Sequence, residues 1–214
     1  MDLIREGLKR NLIRFDASNR FITYVQQNKR RLYDNAEEKV QAATYLHLII
    51  TYNYSPEKIR QYVPIQMGTN IKEADIIVYE DKDFSVPLIL IECKSEMSRE
   101  LEFVRAGDQA WSYAVAIGVK YVWVTSGIKN EYYEISLKKN RERVIIPDIP
   151  QAGNQKIGPF KFAKDGGIAN GGQKLFPLIQ VTEEELTRRF QLAHQALWGG
   201  GELNPSEAFD ELDK

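Results

Sequence analysis

The 214-residue sequence has a single cysteine, Cys93, which excludes an internal disulfide and a cysteine-based zinc site. No apolar run approaches the roughly 20 residues that span a bilayer. The longest, around Val86–Ile91, has the length of a strand. The amino terminus, Met1-Asp2-Leu3-Ile4-Arg5, lacks the basic-then-apolar layout of a secretory signal. A cytoplasmic protein with no membrane partner is expected. There is no internal repeat, no low-complexity block and no Gly-x-x-x-x-Gly-Lys-Ser/Thr loop, so no ATP motor is expected in this chain. A large net charge is missing too. Twenty-nine basic residues against 30 acidic ones leave −1, which argues against affinity built on broad phosphate neutralisation. The charge is uneven, however: residues 1–60 carry 11 Lys/Arg and 7 Asp/Glu, and the last thirteen residues carry five acids and one Lys.

The apolar fraction of 43% and charged fraction of 28% are those of an ordinary globular domain. Leu3, Ile4, Leu8 and Leu12 stand at helical spacing. Residues 21–25 fit a short strand. Asp34-Asn35 offers an N-cap to a helix over about Ala36–Tyr52. Three strands are predicted next, Tyr62–Met67, Ala74–Tyr79 and Leu88–Lys94, parted by Gly68-Thr69-Asn70 and by the acidic turn Glu80–Asp83. The second and third are apolar on both faces, as central strands covered by helices are. A helix at Glu100–Ile117 ending at Gly118, a strand at Tyr121–Thr125, a turn at Ser126-Gly127 and a strand at Glu131–Ile135 follow. This order describes an α/β fold, a mixed central sheet flanked by helices on both faces. From Pro147 to about Pro177 the sequence has no clear period and reads as a long loop. Thr182 to Glu185 has the form of a capping box for a helix running to Trp198.

The chemistry concentrates on the third strand. Leu88, Leu90, Glu92 and Lys94 share one face, and Ile89, Ile91 and Cys93 the other. A buried strand thus ends in a carboxylate and an ammonium, and burying either is costly unless it is paired or bound to metal. Asp75 opens the second strand, seventeen residues earlier. If the two strands pair as an antiparallel hairpin, Asp75 lies next to Glu92. Two carboxylates hold a hard cation through oxygen. Such a cation polarises a phosphodiester oxygen and lowers the pKa of a water, while a lysine orients that water and steadies charge on phosphorus. An isolated Glu-x-Lys is nevertheless common, and most often a plain ion pair at a strand end.

The neighbouring residues turn the tripeptide into a pattern. Ala74-Asp75-Ile76-Ile77-Val78-Tyr79 followed by Leu90-Ile91-Glu92-Cys93-Lys94 resembles the PD-(D/E)xK nuclease superfamily. More narrowly, the chain resembles the N-terminal nuclease domain of type I restriction enzyme R subunits. Glu37-Glu38-Lys39-Val40-Gln41, the Glu-Cys-Lys tripeptide and Gln109-x-x-x-Tyr113 carry that resemblance, which covers about residues 30–136. It implies a restriction-endonuclease-like core and Mg²⁺-dependent cleavage of DNA, with Mn²⁺ as a substitute. Asp75 and Glu92 would ligate the metal with the backbone carbonyl of Cys93, and Lys94 would act on the attacking water. One of Glu37 and Glu38 would complete the site; Glu37 is preferred, for sharing a face with Val40 and Thr44. Gln109 and Tyr113 would form the accessory motif on one helix face. Glu73 departs from the usual pattern by adding negative charge near Asp75.

The resemblance further implies a nuclease domain over residues 1–150, a loop excursion and a helix packed on it over 151–201, and the start of a linker or following module over 202–214. Type I restriction enzymes need an ATP motor, which this chain lacks. The tail from Asn204 to Lys214 resembles the start of the helical region of adenine-N6 DNA methylases. Partners would therefore be DNA and the methylase and specificity modules of a restriction–modification system, in the same or another chain. Two alternatives stay open: a stand-alone repair or junction-resolving nuclease, and a non-catalytic DNA-binding or assembly module with a nuclease fold. His47 reads as a packed residue rather than a ligand, and His194 has no partner in view. Trp111 is either core or DNA-facing. Lys29-Arg30-Arg31 is a solvated turn or a phosphate contact, and Lys156, Lys161, Lys164 and Lys174 are further candidates for lining DNA.

Overall fold

The computed structural model describes residues 2–136 and 142–154, and beyond them 161–163, 165–168, 174–177, 182, 186–188 and 190. The chain separates into two compact units, the first built on residues 1–161 with 168–174. Helix α1 (Leu3–Lys9) opens the first unit, capped by the Asp2 side chain, which accepts from Arg5 N–H. Strands β1 (Ile13–Phe15), β2 (Phe21–Tyr24) and β3 (Lys29–Leu32) form an antiparallel sheet in that order. Helix α2 (Ala36–Ile50) follows, its first turn capped by Asn35, which accepts from Glu37 N–H at 2.9 Å.

Six strands form the central sheet in sequence order: β4 (Ile59–Met67), β5 (Asn70–Tyr79), β6 (Pro87–Cys93), β7 (Tyr121–Thr125), β8 (Asn130–Ile135) and β9 (Arg143–Ile146). All neighbours are antiparallel except β6 and β7, which are parallel because α3 (Glu100–Ile117) carries the crossover between them. Gly68 turns β4 into β5 at φ +61°, and Gly118 ends α3 in the left-handed conformation.

The sheet is mixed and covered on both faces, as expected. Ile76, Val78, Ile89, Ile91 and Trp123 pack with Tyr45, Leu46 and Leu48 of α2. The alternate residues Ile77, Leu90, Val122 and Val124 pack with Phe103, Ala106, Ala110 and Ala114 of α3. The first cluster also takes in Ile13, Ile22 and Tyr24, so α2 is enclosed between the small sheet and the central one. Leu88 departs from the expected alternation: it packs on the α2 side, beside the register shift at Val78/Tyr79.

Three strands lie outside the expected set: β1, β3 and β9. Within 147–177, expected as loop, residues 161–163 (β10), 165–168 (β11) and 174–177 (β12) form a further three-stranded sheet in the order β10-β12-β11. Strands of three or four residues containing Gly and Pro show too few alternations to reveal a period. Residues 186–188 and 190 are helical, and Leu186 N–H donates to Thr182 O. The rest of that expected helix, with His194 and the tail from Asn204, lies outside the described residues. No helix of the described residues is long and apolar enough to cross a membrane.

Candidate active site

β5 and β6 pair antiparallel with Ile76 opposite Ile91, which brings Asp75 opposite Glu92 at the end of the hairpin. The Cys93 N–H donates to Asp75 Oδ2 at 2.6 Å. Gln41 of α2 donates to the Asp75 carbonyl at 3.1 Å, tying helix to strand. Glu92 is 2% exposed on the α3 side of the sheet. Its Oε1 accepts from Gln109 Nε2 at 2.8 Å and from Lys94 Nζ at 3.2 Å. Its Oε2 is buried without a hydrogen-bond partner. Lys94, whose N–H donates to Thr125 O on β7, also brings Nζ to 3.8 Å from Glu37 Oε1.

The electrostatics follow from this crowding. Burial raises the Asp75 carboxyl to about 6, against the pull of the Cys93 N–H and the Lys94 charge. Burial, and then the Asp75 charge, raise Glu92 to about 8. For Lys94, burial acts to lower the ammonium, but Glu92 and Glu37 outweigh it and hold the group above its ordinary value. The two carboxyls shift in the same direction. Both acids resist ionising because only one cation serves them. Among the described residues no three His, Cys, Asp or Glu side chains gather into a ready-made metal cage. What stands there is two apposed carboxylates, one with an unpartnered buried oxygen, a donor set suited to a hard cation.

The remaining expected residues divide. The acids of the first turn of α2 part company. Glu37 is exposed, contrary to the face expected for it, yet it reaches Lys94. Glu38 is the buried one, and its carboxylate accepts from Tyr24 Oη at 2.5 Å and Tyr62 Oη at 2.6 Å. Gln109 touches Glu92 directly. Tyr113, one turn on, is buried in the α3-side cluster, its hydroxyl pKa raised by burial and the Glu92 charge. The Cys93 thiol is buried on the α2 side, where burial raises its pKa, so only its backbone serves the site.

Two residues escaped the sequence reading. Gln41 closes the Glu37–Gln41 run that carried the resemblance, and its spacing of four from Glu37 was the available signal. Tyr62 holds φ +54° within β4, between the pairs Gln61–Ile76 and Val63–Ala74 and so beside Asp75. Nothing in the sequence announces that conformation, which a bulky residue adopts at a cost. His47 packs as expected, its ring 5.1 Å from Tyr52 and 5.8 Å from Trp123. Trp111 packs against the α3-side cluster with its Nε1 buried and unpartnered. Lys29–Arg31 lie in β3, not in a turn. Lys161 and Lys174 fall in β10 and β12, and Lys156 and Lys164 lie outside the described residues.

Comparison with known families matches residues 36–150, more than half of the chain, to the family described as type I restriction enzyme R protein N terminus. The stretch runs from the first residue of α2 to just past β9, and so contains every residue of the cluster described above. No curated protein matches the sequence.

Proposed function

The chain belongs to the type I restriction enzyme R protein N-terminal family, and from that premise we propose that it is a Mg²⁺-dependent DNA endonuclease domain with a PD-(D/E)xK core. One observation carries the proposal: Glu92, buried, faces Asp75 and keeps one oxygen without a partner. A carboxylate so placed gains from a cation and from little else. Asp75 and Glu92 would hold the ion, with the Cys93 carbonyl and Glu37 as the further oxygen donors. When bound, Mg²⁺, or Mn²⁺ in its place, supplies Lewis acidity toward a phosphoryl oxygen and lowers the pKa of water.

The chain's own residues prepare that chemistry. Gln109 fixes the Glu92 carboxylate by one oxygen and leaves the other to coordinate. The Cys93 N–H fixes Asp75 in the same way. Lys94, held charged by Glu92 and Glu37, is a donor: it orients the attacking water and steadies charge on the non-bridging oxygens. Tyr113, four residues after Gln109 on α3 and buried in the α3-side cluster, would brace that helix face. Glu38, engaged by two tyrosines, is left out of the chemistry. Cleavage is this domain's share of a restriction–modification system; methylase and specificity modules, in the same or another chain, supply the address.

The test is nicking and linearisation of supercoiled plasmid by the purified chain in Mg²⁺, beside Lys94→Ala. The substitution is expected to lower the rate by at least about 100-fold while the circular-dichroism spectrum and melting transition stay put. Equal cleavage by both proteins would sink the assignment.

A further inference from the structure

Three cations crowd one flank of the first unit without an ion-pair partner among the described residues. Lys29 and Arg31, two apart on β3 and so on one face, both lie over the ring of Tyr62, at 4.7 Å and 3.8 Å from its centroid. Arg60, two before Tyr62 on β4, is exposed and stacks on Phe84 at 3.9 Å. Among the described residues none of the three enters an ion pair. Arg30, between the first two, does so with Asp16 at 3.7 Å, and Arg20 does so with Asp34 at 3.3 Å. Arg31 Nε is buried without a hydrogen-bond partner. The Lys29 ammonium is lowered by burial and then by Arg31 and Arg60, while the Glu73 charge opposes them.

Packing explains part of this cluster and leaves the rest. Lys29 Nζ donates to Gln61 O at 2.9 Å, and each cation–ring contact contributes about 0.5–1 kcal/mol. Those contacts fix the side chains in place, yet neutralise none of them. Like charges held together at a protein surface repel, and an anion relieves them. A groove of about 460 Å³ runs past Lys29 and Arg60, with Gln27, Tyr62 and Phe84 along it and one acid, Glu57, which is itself paired with Lys82. Its position is informative. Tyr62, Asp75 and Glu92 stand in one row across β4, β5 and β6, which sets the Tyr62 backbone two strand spacings, roughly 10 Å, from that of Glu92, with the Tyr62 ring on the α2 face and the Glu92 carboxylate on the α3 face.

We infer that Lys29 and Arg31 over Tyr62, with Arg60 beside them on β4, form a phosphate-binding site that grips the DNA backbone on the flank of the sheet edge that leads to the Asp75–Glu92 pair. The identity of the ligand as DNA rests on the nuclease reading above. Glu73, which departs from the usual family pattern, then has a role: it limits the mutual repulsion of these cations when no DNA is bound.

The inference is tested by fluorescence anisotropy of a labelled DNA duplex titrated with the full chain in EDTA over a series of salt concentrations. Lys29→Gln/Arg60→Gln is compared with wild type and with Lys120→Gln, a lysine outside the cluster. Each phosphate contact removed lowers the slope of log affinity against log salt by about 0.9. The double variant should therefore lose about two units of slope and bind at least about tenfold more weakly at low salt. Lys120→Gln should match wild type. An unchanged slope in the double variant, an equal loss in Lys120→Gln, or no binding by wild type would each overturn the inference. Should the double variant fail to fold, Arg60→Gln alone, at an exposed side chain, carries the same test with about half the effect. Because EDTA removes catalysis, the two readings fail separately. A chain that binds through this cluster but never cuts loses the nuclease reading alone. A chain that cuts through Lys94 but keeps its slope in the double variant loses this one alone.

Discussion

Glu92 shows how burial makes a functional group out of an ordinary one. Its carboxyl is held well above the ordinary value by burial and by the Asp75 charge, so the metal-free fold must neutralise it or bear two buried carboxylates beside the one Lys94 cation. The sign follows from linkage: a raised folded pKa gives stability that is complete below the ordinary value and lost as pH rises through the folded one. Metal-free wild type should therefore weaken from mildly acidic to alkaline buffer, and Glu92→Gln, which keeps only the raised Asp75, should weaken less. In alkaline EDTA the variant should be the more stable by about 1 kcal/mol, read as a higher melting temperature; a lower one would contradict the account. The two acids of α2 give a second contrast. Glu38→Gln replaces an acceptor of two tyrosine hydroxyls by an amide and should cost about 1–3 kcal/mol in urea unfolding. Glu37→Gln should stay within about 0.5 kcal/mol of wild type yet slow cleavage. The reverse pattern would show that the wrong acid has been assigned to the site.

At the level of elements, the β5–β6 hairpin was legible and the surroundings of α2 were not. Two short strands apolar on both faces, with an acid at the start of one and Glu92-Cys93-Lys94 at the end of the other, leave few pairings that bury the apolar residues and keep the charges together. Helix α2 is different. Val40, Ala42, Tyr45, Leu46 and Leu48 are all buried because the helix is enclosed between two sheets. A helix buried nearly all round gives no phase from which to decide between Glu37 and Glu38. β3 was missed for a related reason: Lys29, Arg30 and Arg31 read as a solvated run, but their stems and planar heads lie on Phe21 and Tyr62. The same enclosure makes a prediction at His47. Burial lowers its pKa below the ordinary value near 6.5. A depressed histidine contributes stability that is complete above the unfolded value and lost as pH falls through the folded one. The urea midpoint of wild type minus that of His47→Phe should fall between about pH 7 and about pH 5. A constant difference would mean that the imidazole is not shielded.

For the whole molecule, a net charge of −1 gives no general attraction for a polyanion. The proposed binding of DNA would then rest on local arrangements, on strands whose register sets their spacing. The family match begins at residue 36, so the β1–β3 sheet, with Tyr24, Lys29 and Arg31, lies outside the matched stretch. It contributes one of the two tyrosine partners of Glu38, and two of the three clustered cations, to a core that carries the cluster of Asp75, Glu92 and Lys94. None of this was legible from the amino-terminal residues, because a contact between β3 and β4 depends on how two sheets meet across α2. A metal bound between Asp75 and Glu92 stabilises the folded chain as a whole, by about 2.7 kcal/mol when its concentration is a hundred times its dissociation constant. The melting temperature should therefore rise with Mn²⁺ in wild type and stay flat in Glu92→Gln.

The central claim is that the Asp75–Glu92 pair is a divalent-metal site, and a crystal grown with Mn²⁺ tests it most directly through its anomalous difference map. The account predicts a peak bridging the two carboxylates, with Glu92 Oε2 among the ligands. A well-ordered map with no peak there would contradict it.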